Sequence, residues 1–283
     1  MNRKLLFLPI FVFSLFILSS ASQADVLIED VESEASAIPV QTEIEIETGS
    51  GEAGNFVLFT CATTLSDNPQ SINDPTPGDW TEIDLGECNE SPMSANFCIH
   101  GIWGGFTDNP DSENITCSWT ENTEVSVAGS FRYTGVDPDN PIIGVACTTS
   151  FGDSPFAPSI ETEAGSQVVR IFTYGNFTDI GMAGIPENEV NADPLGNYSA
   201  SALGQFGFIN SVGRSQLFTE TGPTGSDELS LTTSARFRAC TIALRMAPVP
   251  RDVPTMSEWG LISFAAFAGI AGFWFIRRRQ LTA

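Results

Sequence analysis

Short apolar runs separated by Gly, Pro, Asn and Asp make up most of the chain between residues 42 and 246. No 12-residue segment of this region repeats apolar positions at helical spacing without an interrupting Gly or Pro. Such short runs, bounded by turn residues, are typical of antiparallel sandwiches and barrels. We therefore predict an all-β fold, with one antiparallel β-sandwich over residues 42–246 that is long enough to enclose a large core.

The first predicted strand alternates strictly: within Thr42–Thr48, Ile44 and Ile46 face one side and three glutamates face the other. Polar turns at residues 136–141 and 221–226 separate some of the later strands. Those later strands are predicted at Asn55–Thr63, Asn96–Trp103, Asn114–Trp119, Glu124–Tyr133, Ile142–Thr148, Gln167–Tyr174, Leu203–Ile209, Gln216–Thr219 and Ala235–Met246.

Acidic residues dominate the chain, with 35 Asp and Glu against 12 Lys and Arg and a net charge of -23. Residues 25–250 contain 33 of these acids, 6 arginines and no lysine, so their net charge is -27. A nucleic-acid backbone is bound by clustered Lys and Arg. The charge balance therefore excludes an ordinary nucleic-acid binder and favours solubility and mutual repulsion between copies.

The first 24 residues have the three parts of a secretory signal peptide. Arg3 and Lys4 come first, an apolar run extends from Leu5 to Leu18, and small residues lead up to Ala24. We predict cleavage after Ala24. The alternative is an uncleaved N-terminal membrane anchor.

A second apolar run, Leu261–Ile276, carries no charge and is followed by Arg277, Arg278 and Arg279. As a helix this run would be roughly 24 Å long, slightly less than the ~30 Å hydrocarbon core of a bilayer. We predict a transmembrane helix over residues 261–276. The basic cluster 277–279 should stay in the cytoplasm, which places residues 25 to about 255 outside.

The segment before this run reads Val253-Pro254-Thr255-Met256-Ser257-Glu258-Trp259-Gly260. With the apolar run and the arginines, it resembles the C-terminal sorting signal of exported Gram-negative proteins that is named for its Ile-Pro-Thr-Leu motif. Val253 and Met256 are the departures from that motif. The resemblance implies that a membrane-embedded sorting protease cuts near the motif and passes the exported domain to the cell surface or matrix. The alternative is a plain single-pass membrane anchor.

Two segments connect these signals to the sandwich. Residues 25–41 are acidic and carry few large apolar groups, so we predict a flexible leader there. Residues 247–252 begin with Ala-Pro-Val-Pro, which predicts a stiff, extended stem before the sorting motif.

All six cysteines lie in the predicted exported part, where an even count predicts three disulfides. We expect Cys61 to bond with Cys240, because the first and last long strands of a sandwich are often neighbours. Zinc ligation is the competing interpretation, but the chain has no C-x-x-C pair and only one histidine. The expected pairs are Cys61–Cys240, Cys88–Cys98 and Cys117–Cys147, with Cys98–Cys117 across a hairpin as the alternative.

Three short motifs occur in order along the body. They are Cys117-Ser118-Trp119-Thr120, then Phe131-Arg132-Tyr133-Thr134-Gly135-Val136-Asp137 with Pro141-Ile142, and finally Thr241-Ile242-Ala243-Leu244-Arg245. They resemble motifs of bacterial and phage-associated jelly-roll sandwich domains, which carry an aromatic-Arg-Gly-Val-Asp turn and an apolar final strand. The resemblance implies a jelly-roll-like sandwich. Most of those domains have no known activity, so it implies no function.

No catalytic constellation stands out in the sequence. His100, the only imidazole, lies in a predicted strand, and no G-x-S-x-G elbow is present, which argues against a Ser-His-Asp hydrolase. Disulfide-bonded cysteines leave no thiol nucleophile. Carboxylate pairs are abundant, so glycan hydrolysis stays an alternative, but none of the acids is singled out. P-loop and dinucleotide fingerprints are absent from the sequence.

Two acidic turns offer hard oxygen ligands for Ca²⁺, which the extracellular medium supplies. The first contains Asp108, Asp111 and Glu113, and the second contains Asp137 and Asp139. Neither turn has the spacing of an EF-hand loop. Solvated surface turns without a metal are the alternative.

Aromatic side chains bear on function because exposed rings can stack on sugars, whereas most aromatics on strands are buried. The candidates are Trp80, Trp103, Trp119, Tyr133, Tyr174 and Tyr198. We expect a non-enzymatic surface or extracellular-matrix protein with a structural or adhesive role. The alternative is a carbohydrate-binding or glycan-processing module with Ca²⁺ as its candidate cofactor.

Overall fold

A computed structural model describes most of the predicted body and part of the C-terminal segment. The described residues are 27–36, 41–64, 71–88, 98–123, 125–177, 197–203, 207–231, 234–248, 263–270, 274 and 277. The chain divides into two compact units, Met1–Ala247 and Pro248–Ala283. The predicted signal peptide (residues 1–24) and sorting motif (residues 253–260) lie outside the described residues.

Within these ranges the first unit contains sixteen β-strands, and all of their pairings are antiparallel. The first eight are β1 (Leu27–Ser36), β2 (Gln41–Glu47), β3 (Asn55–Thr63), β4 (Thr81–Glu87), β5 (Ile99–Thr107), β6 (Asn114–Thr123), β7 (Ser126–Thr134) and β8 (Ile142–Gly152). The other eight are β9 (Phe156–Ala157), β10 (Glu161–Thr162), β11 (Ser166–Phe177), β12 (Asn197–Leu203), β13 (Gly207–Phe218), β14 (Gly222–Pro223), β15 (Asp227–Glu228) and β16 (Ala235–Leu244).

Two five-stranded sheets form the sandwich. Sheet 1 has the strand order β1-β7-β3-β5-β4, and sheet 2 has the order β12-β13-β11-β16-β8, so each sheet comes from one half of the body. Apolar side chains of both sheets, including Leu58, Phe131 and Ile242, pack into one core between them. The predicted antiparallel, sandwich-like all-β fold is confirmed. The jelly-roll connectivity implied by the resemblance stays a prediction.

The central strands of sheet 1 are buried on both faces. The two-stranded ribbon of β2 and β6 covers the outer face, where Ile46 and Trp119 join the same cluster as Phe59 and Trp103. The Phe59 and Trp103 rings stack with their centroids 5.8 Å apart. This double burial explains why every residue of β3 is buried, rather than every second one.

The predicted flexible leader is wrong for residues 27–36, which form β1 at the edge of sheet 1. This strand pairs with β7 along its length, beginning with Leu27 opposite Thr134. Ile28 and Val31 pack against the core, while the other side chains are exposed or half-buried. An acidic segment can form an edge strand because it needs few apolar contacts, and its charges discourage further pairing at the open edge.

The three disulfides are present, but two of the expected pairs are wrong. The structure pairs Cys61 with Cys117, Cys88 with Cys98, and Cys147 with Cys240. Cys61 cannot meet Cys240 because Cys61 faces the outer ribbon that carries Cys117, whereas Cys240 packs in the core between the two sheets. Cys240 instead lies directly opposite Cys147 in the β16–β8 pair. The third pair, Cys88–Cys98, is one that the sequence also favours.

In the second unit, residues 263–270 form a helix, and residues 274 and 277 are also helical. Among the described residues, no helix reaches the length and hydropathy that a membrane crossing requires. The predicted span, residues 261–276, and the basic cluster, residues 277–279, lie partly outside the described residues. Both therefore stay predictions.

Candidate functional site

A cleft opens at one end of sheet 1, between the turn before β4 and the loop that joins β5 to β6. Its volume is about 560 Å³, which is within the range of small-molecule sites. Aromatic and polar side chains share its lining: Trp80, Phe106, Asp79, Asp108, Asn109 and Glu113. The cleft therefore combines two aromatic rings with three carboxylates and one amide.

Several contacts hold the Trp80 ring in place. Its indole N–H donates to the Pro77 carbonyl oxygen at 2.7 Å, and the ring meets Phe59 edge-on with centroids 5.1 Å apart. Gly105 lies against the ring, since a Cβ there would be 2.9 Å from Trp80 Cε3. Gly78, in the turn, has a φ of +114°, which favours glycine. The indole is thus oriented in advance while remaining only partly buried.

The β5–β6 loop forms the opposite wall and is organised by Asn109. The Asn109 side-chain amide donates to Glu113 Oε1 at 2.8 Å, and its oxygen accepts the Asp111 backbone N–H at 3.0 Å. The Glu113 backbone N–H donates to Thr48 Oγ1 at 2.9 Å. These bonds tie the loop to the end of β2 and keep Glu113 in the cleft wall.

Arg132 on β7 supports the same loop from inside the body. It is fully buried, and its guanidinium donates to the carbonyl oxygens of Gly49 (2.6 Å), Glu52 (3.0 Å) and Asn109 (2.6 Å). Gly51 leaves room for it, because a Cβ there would lie 2.8 Å from Arg132 Nε. A buried cation requires such acceptors. Arg132 therefore joins the β2–β3 connection to the β5–β6 loop and positions one wall of the cleft.

No family model, curated protein or solved structure matches this chain. What the cleft can bind therefore follows from its own chemistry. Aromatic rings stack on the apolar faces of a ligand, and carboxylate and amide oxygens accept hydrogen bonds from hydroxyl groups. Together these groups suit a small polyhydroxylated ring.

The first predicted calcium loop borders this cleft, but Asp108, Asp111 and Glu113 do not form a compact ligand set. Among the described residues, the one group of three candidate ligand atoms within 4.8 Å of one another is Asp84, His100 and Cys240. The sulfur of Cys240 is disulfide-bonded, so it is not a thiolate ligand.

The second predicted calcium loop has a different local role. Asp137 is buried, and its Oδ1 accepts the backbone N–H of Asp139 at 3.0 Å. This bond closes the turn between β7 and β8, as short acidic side chains commonly do. Asp137 therefore acts as a turn acceptor in this structure, and the expected calcium sites stay predictions.

Of the six aromatic candidates, all of which the structure describes, Trp80 alone lines the cleft. The Tyr133 hydroxyl hydrogen-bonds with Ser215 Oγ at 2.8 Å, and burial raises the pKa of Tyr133 far above its usual value. The five candidates that lie in the core are Trp103, Trp119, Tyr133, Tyr174 and Tyr198.

A largely buried polar cluster lies between the two sheets. Arg238 on β16 donates from Nε and Nη2 to both carboxylate oxygens of Asp84 on β4, at 2.7 and 2.6 Å. Gly86 makes room for the guanidinium, since a Cβ there would lie 2.5 Å from Arg238 Cζ. The pKa of the neighbouring His100 is lowered to about 4, mainly by burial; Asp84 opposes this change and Arg238 adds to it. The imidazole is therefore neutral at pH 7.

All six arginines of residues 25–250 are described, and all have contacts within the body. Their partners are backbone carbonyls (Arg132, Arg170), carboxylates (Arg214, Arg238, Arg245) and the ring of Phe151 (Arg236). With 33 acids against these 6 arginines, carboxylates dominate the charge of the body.

A second groove, of about 530 Å³, runs between β1 and β2 and is strongly acidic. Partial burial raises the pKa of Glu32, and the nearby Asp30 and Glu47 raise it further. Like charges at this spacing repel one another and attract counter-ions. The glutamates that line the groove are Glu32, Glu34, Glu43, Glu45 and Glu47.

Sequence patterns single out Trp80 and the acidic loop but not Phe106 or Asn109. The sequence nevertheless contains one local signal for Phe106 and one for Asn109. Gly104-Gly105 before Phe106 marks a strand end that another side chain approaches closely, and Asn109-Pro110 marks the start of a turn. The support from Arg132 has no local signal, because it depends on contacts between β7 and two loops that are distant in the sequence.

Proposed function

We propose that this chain is an exported, non-enzymatic surface or extracellular-matrix protein with a structural or adhesive role. The observation that carries the proposal is the lysine-free, acidic surface of a disulfide-bonded sandwich whose six arginines all have partners within the body. Such a surface keeps copies soluble and apart, and disulfides persist in oxidising compartments. A jelly-roll-like connectivity, implied by the resemblance, is part of the proposal.

The position of His100 supports the non-enzymatic part. A Ser-His-Asp mechanism needs an imidazole within reach of a serine and the substrate. His100 is fully buried, and neither of its ring nitrogens has a hydrogen-bond partner among the described residues. The described cysteines are all disulfide-bonded, so they supply no nucleophile.

The two ends of the chain provide the proposed route to the surface. Residues 1–24 direct export across the inner membrane, and residues 261–276 hold the chain there as a transmembrane helix with the cluster 277–279 in the cytoplasm. A sorting protease then recognises residues 253–260 and releases the body to the cell surface or matrix. Without that cut, the chain remains a single-pass membrane protein with its body outside the cytoplasm.

Replacing Pro254 and Thr255 with alanine tests the sorting step. We expect uncut protein in the inner membrane, because the protease loses the centre of its motif. Replacing Pro248 and Pro250 in the stem is the matched control and should leave the mature mass and location unchanged. A motif variant with unchanged mass and location would contradict the sorting proposal.

Carbohydrate binding is the second candidate function, and the cleft beside Trp80 is the observation that favours it. The cleft places aromatic surface next to hydrogen-bonding groups at the end of sheet 1. A glycan ligand would also give the proposed adhesive role a molecular basis, because a surface protein adheres through what its exposed clefts bind.

A further inference from the structure

We propose that the cleft beside Trp80 is a binding site for neutral sugar residues of an extracellular polysaccharide. It would hold one or two rings between the Trp80 indole and the β5–β6 loop. The inference rests on the carbohydrate-binding function proposed above and deepens it, since it names the ligand class and the residues that bind it.

The aromatic part of the site is pre-oriented. Trp80 is fixed by its bond to the Pro77 carbonyl and by its packing on Phe59 and Gly105, yet part of it remains open to the cleft. Phe106, which lines the same cleft, is 38% exposed. The C–H face of a pyranose ring packs well on such a rigid ring, because little side-chain freedom is lost on binding.

The polar part of the site supplies partners for hydroxyl groups. Asp79 and Asp108 are exposed at the rim, and Asn109 and Glu113 are half-buried in the wall. Carboxylates accept hydrogen bonds and an amide both donates and accepts them, which matches the dual character of sugar hydroxyls. Asn109 and Glu113 already share one hydrogen bond, and the remaining lone pairs of the carboxylates are free to accept hydrogen bonds from a ligand.

Charge narrows the ligand class. Asp79, Asp108 and Glu113 line the cleft without a lining arginine, in a body with a net charge of -27. Uronic-acid and sulfated polymers would bring further negative charge close to these carboxylates. Neutral hexoses or N-acetylhexosamines avoid that repulsion, and so they are the class we infer.

Calorimetric titration of the full-length protein, in a detergent without a sugar headgroup, tests the inference. The neutral probes are cellohexaose, laminarihexaose and chitohexaose, and hexagalacturonic acid is the acidic probe. We expect saturable binding of at least one neutral probe and none of the acidic one. Trp80→Ala should weaken binding about tenfold or more, because it removes the stacking surface.

Phe151→Ala is the matched control. Phe151 is an exposed aromatic on β8, 60% exposed and outside the cleft, so its removal should not change the affinity. Asp108→Ala and Phe106→Ala change exposed side chains of the cleft, and each should weaken binding severalfold. If Trp80→Ala fails to fold, the affinities of the Asp108→Ala and Phe106→Ala proteins test the proposal instead.

The inference is overturned if no neutral probe binds, or if the acidic probe binds as well as a neutral one. Equal affinities for the Phe151→Ala protein and for the cleft variants would also overturn it. The cleft lies wholly within residues 77–113 of the body. The sorting proposal and the sugar-binding proposal can therefore fail independently of each other.

Discussion

At the scale of single residues, Arg238 and Asp84 carry charge into the region between the sheets. Their side chains are 17% and 15% exposed, and two short hydrogen bonds join them. Removing one member of such a pair leaves the other without compensation in a poorly solvated place. Arg245 and Glu163 form a contrasting pair at 3.5 Å, with 33% and 56% exposure.

Arg238→Met should lower the free energy of unfolding by about 3 kcal/mol, because Asp84 is left without its partner. Arg245→Met should lower it by less than about 1 kcal/mol, since a solvated pair contributes little. Urea denaturation at pH 7 measures both. Similar losses for the two variants would contradict the assignment of Arg238 as a buried partner.

His100 should make stability depend on pH. Its pKa in the folded chain is about 4, below the ordinary value of 6.5, so the unfolded chain binds the proton first. The contribution of the neutral imidazole to the free energy of unfolding is complete above about pH 6.5 and is lost as the pH falls towards 4. The loss amounts to about 3 kcal/mol. The charges of Asp84 and Arg238 also act on this imidazole, so both residues must be left unchanged in the comparison.

The matched comparison is His100→Leu, which fills the buried position with an apolar side chain and removes the titration. Between pH 7 and pH 4 we expect the unchanged protein to lose about 3 kcal/mol more than the variant. Both proteins are measured by denaturant titration at each pH. If they lose the same free energy of unfolding between pH 7 and pH 4, His100 takes up its proton as readily in the folded chain as in the unfolded one, which contradicts the lowered pKa.

At the scale of elements, strands that are buried on both faces were the most predictable. Asn55–Thr63 was predicted with its observed bounds because a continuous apolar run has one plausible structure between two turns. β1 and β4 were missed, since edge strands are polar and take their hydrogen bonds from one neighbour. The predicted strand Leu203–Ile209 crosses the boundary between β12 and β13.

Disulfide connectivity could not be derived from the sequence because it depends on which faces meet. Cys61 and Cys240 both lie on central strands, but of different sheets. The period-two alternation predicts that a cysteine faces one side of a strand. It does not predict that β6 covers sheet 1 and brings Cys117 to Cys61.

Loop length should rank the disulfides by their effect on stability. Cys147 and Cys240 are 93 residues apart, whereas Cys88 and Cys98 are 10 apart. In the chain-entropy account these bonds contribute about 5 and about 3 kcal/mol. Replacing both cysteines of each pair with alanine and comparing urea denaturation tests the ranking, and the reverse order would contradict it.

At the scale of the whole molecule, composition predicted the fold class and the charge of the body. The cleft was only half predictable: Trp80 and Asp108 stand out as residue types, but their meeting depends on where β4 begins and β5 ends. The arginine contacts are a property of the complete fold, because the partners lie on other strands or loops, from 13 residues away for Arg214 and Asp227 to 154 for Arg238 and Asp84.

Self-repulsion at a net charge of -27 should make stability sensitive to salt. Raising NaCl from about 10 mM to about 150 mM shortens the screening length from about 30 Å to about 8 Å, so Tm should rise by several degrees. CaCl₂ at equal ionic strength should give a similar Tm, because the described acidic turns have no assembled ligand set. A much higher Tm in CaCl₂ would contradict that interpretation.

The central claim is that this chain becomes an exported, disulfide-bonded body released from both terminal signals. The most direct measurement is the intact mass of the protein recovered outside the inner membrane, before and after reduction. We predict a species without residues 1–24 and without the segment after the 253–260 motif, which gains six hydrogens when its three disulfides are reduced. A full-length chain in the inner membrane, or a mass unchanged by reduction, would contradict the account.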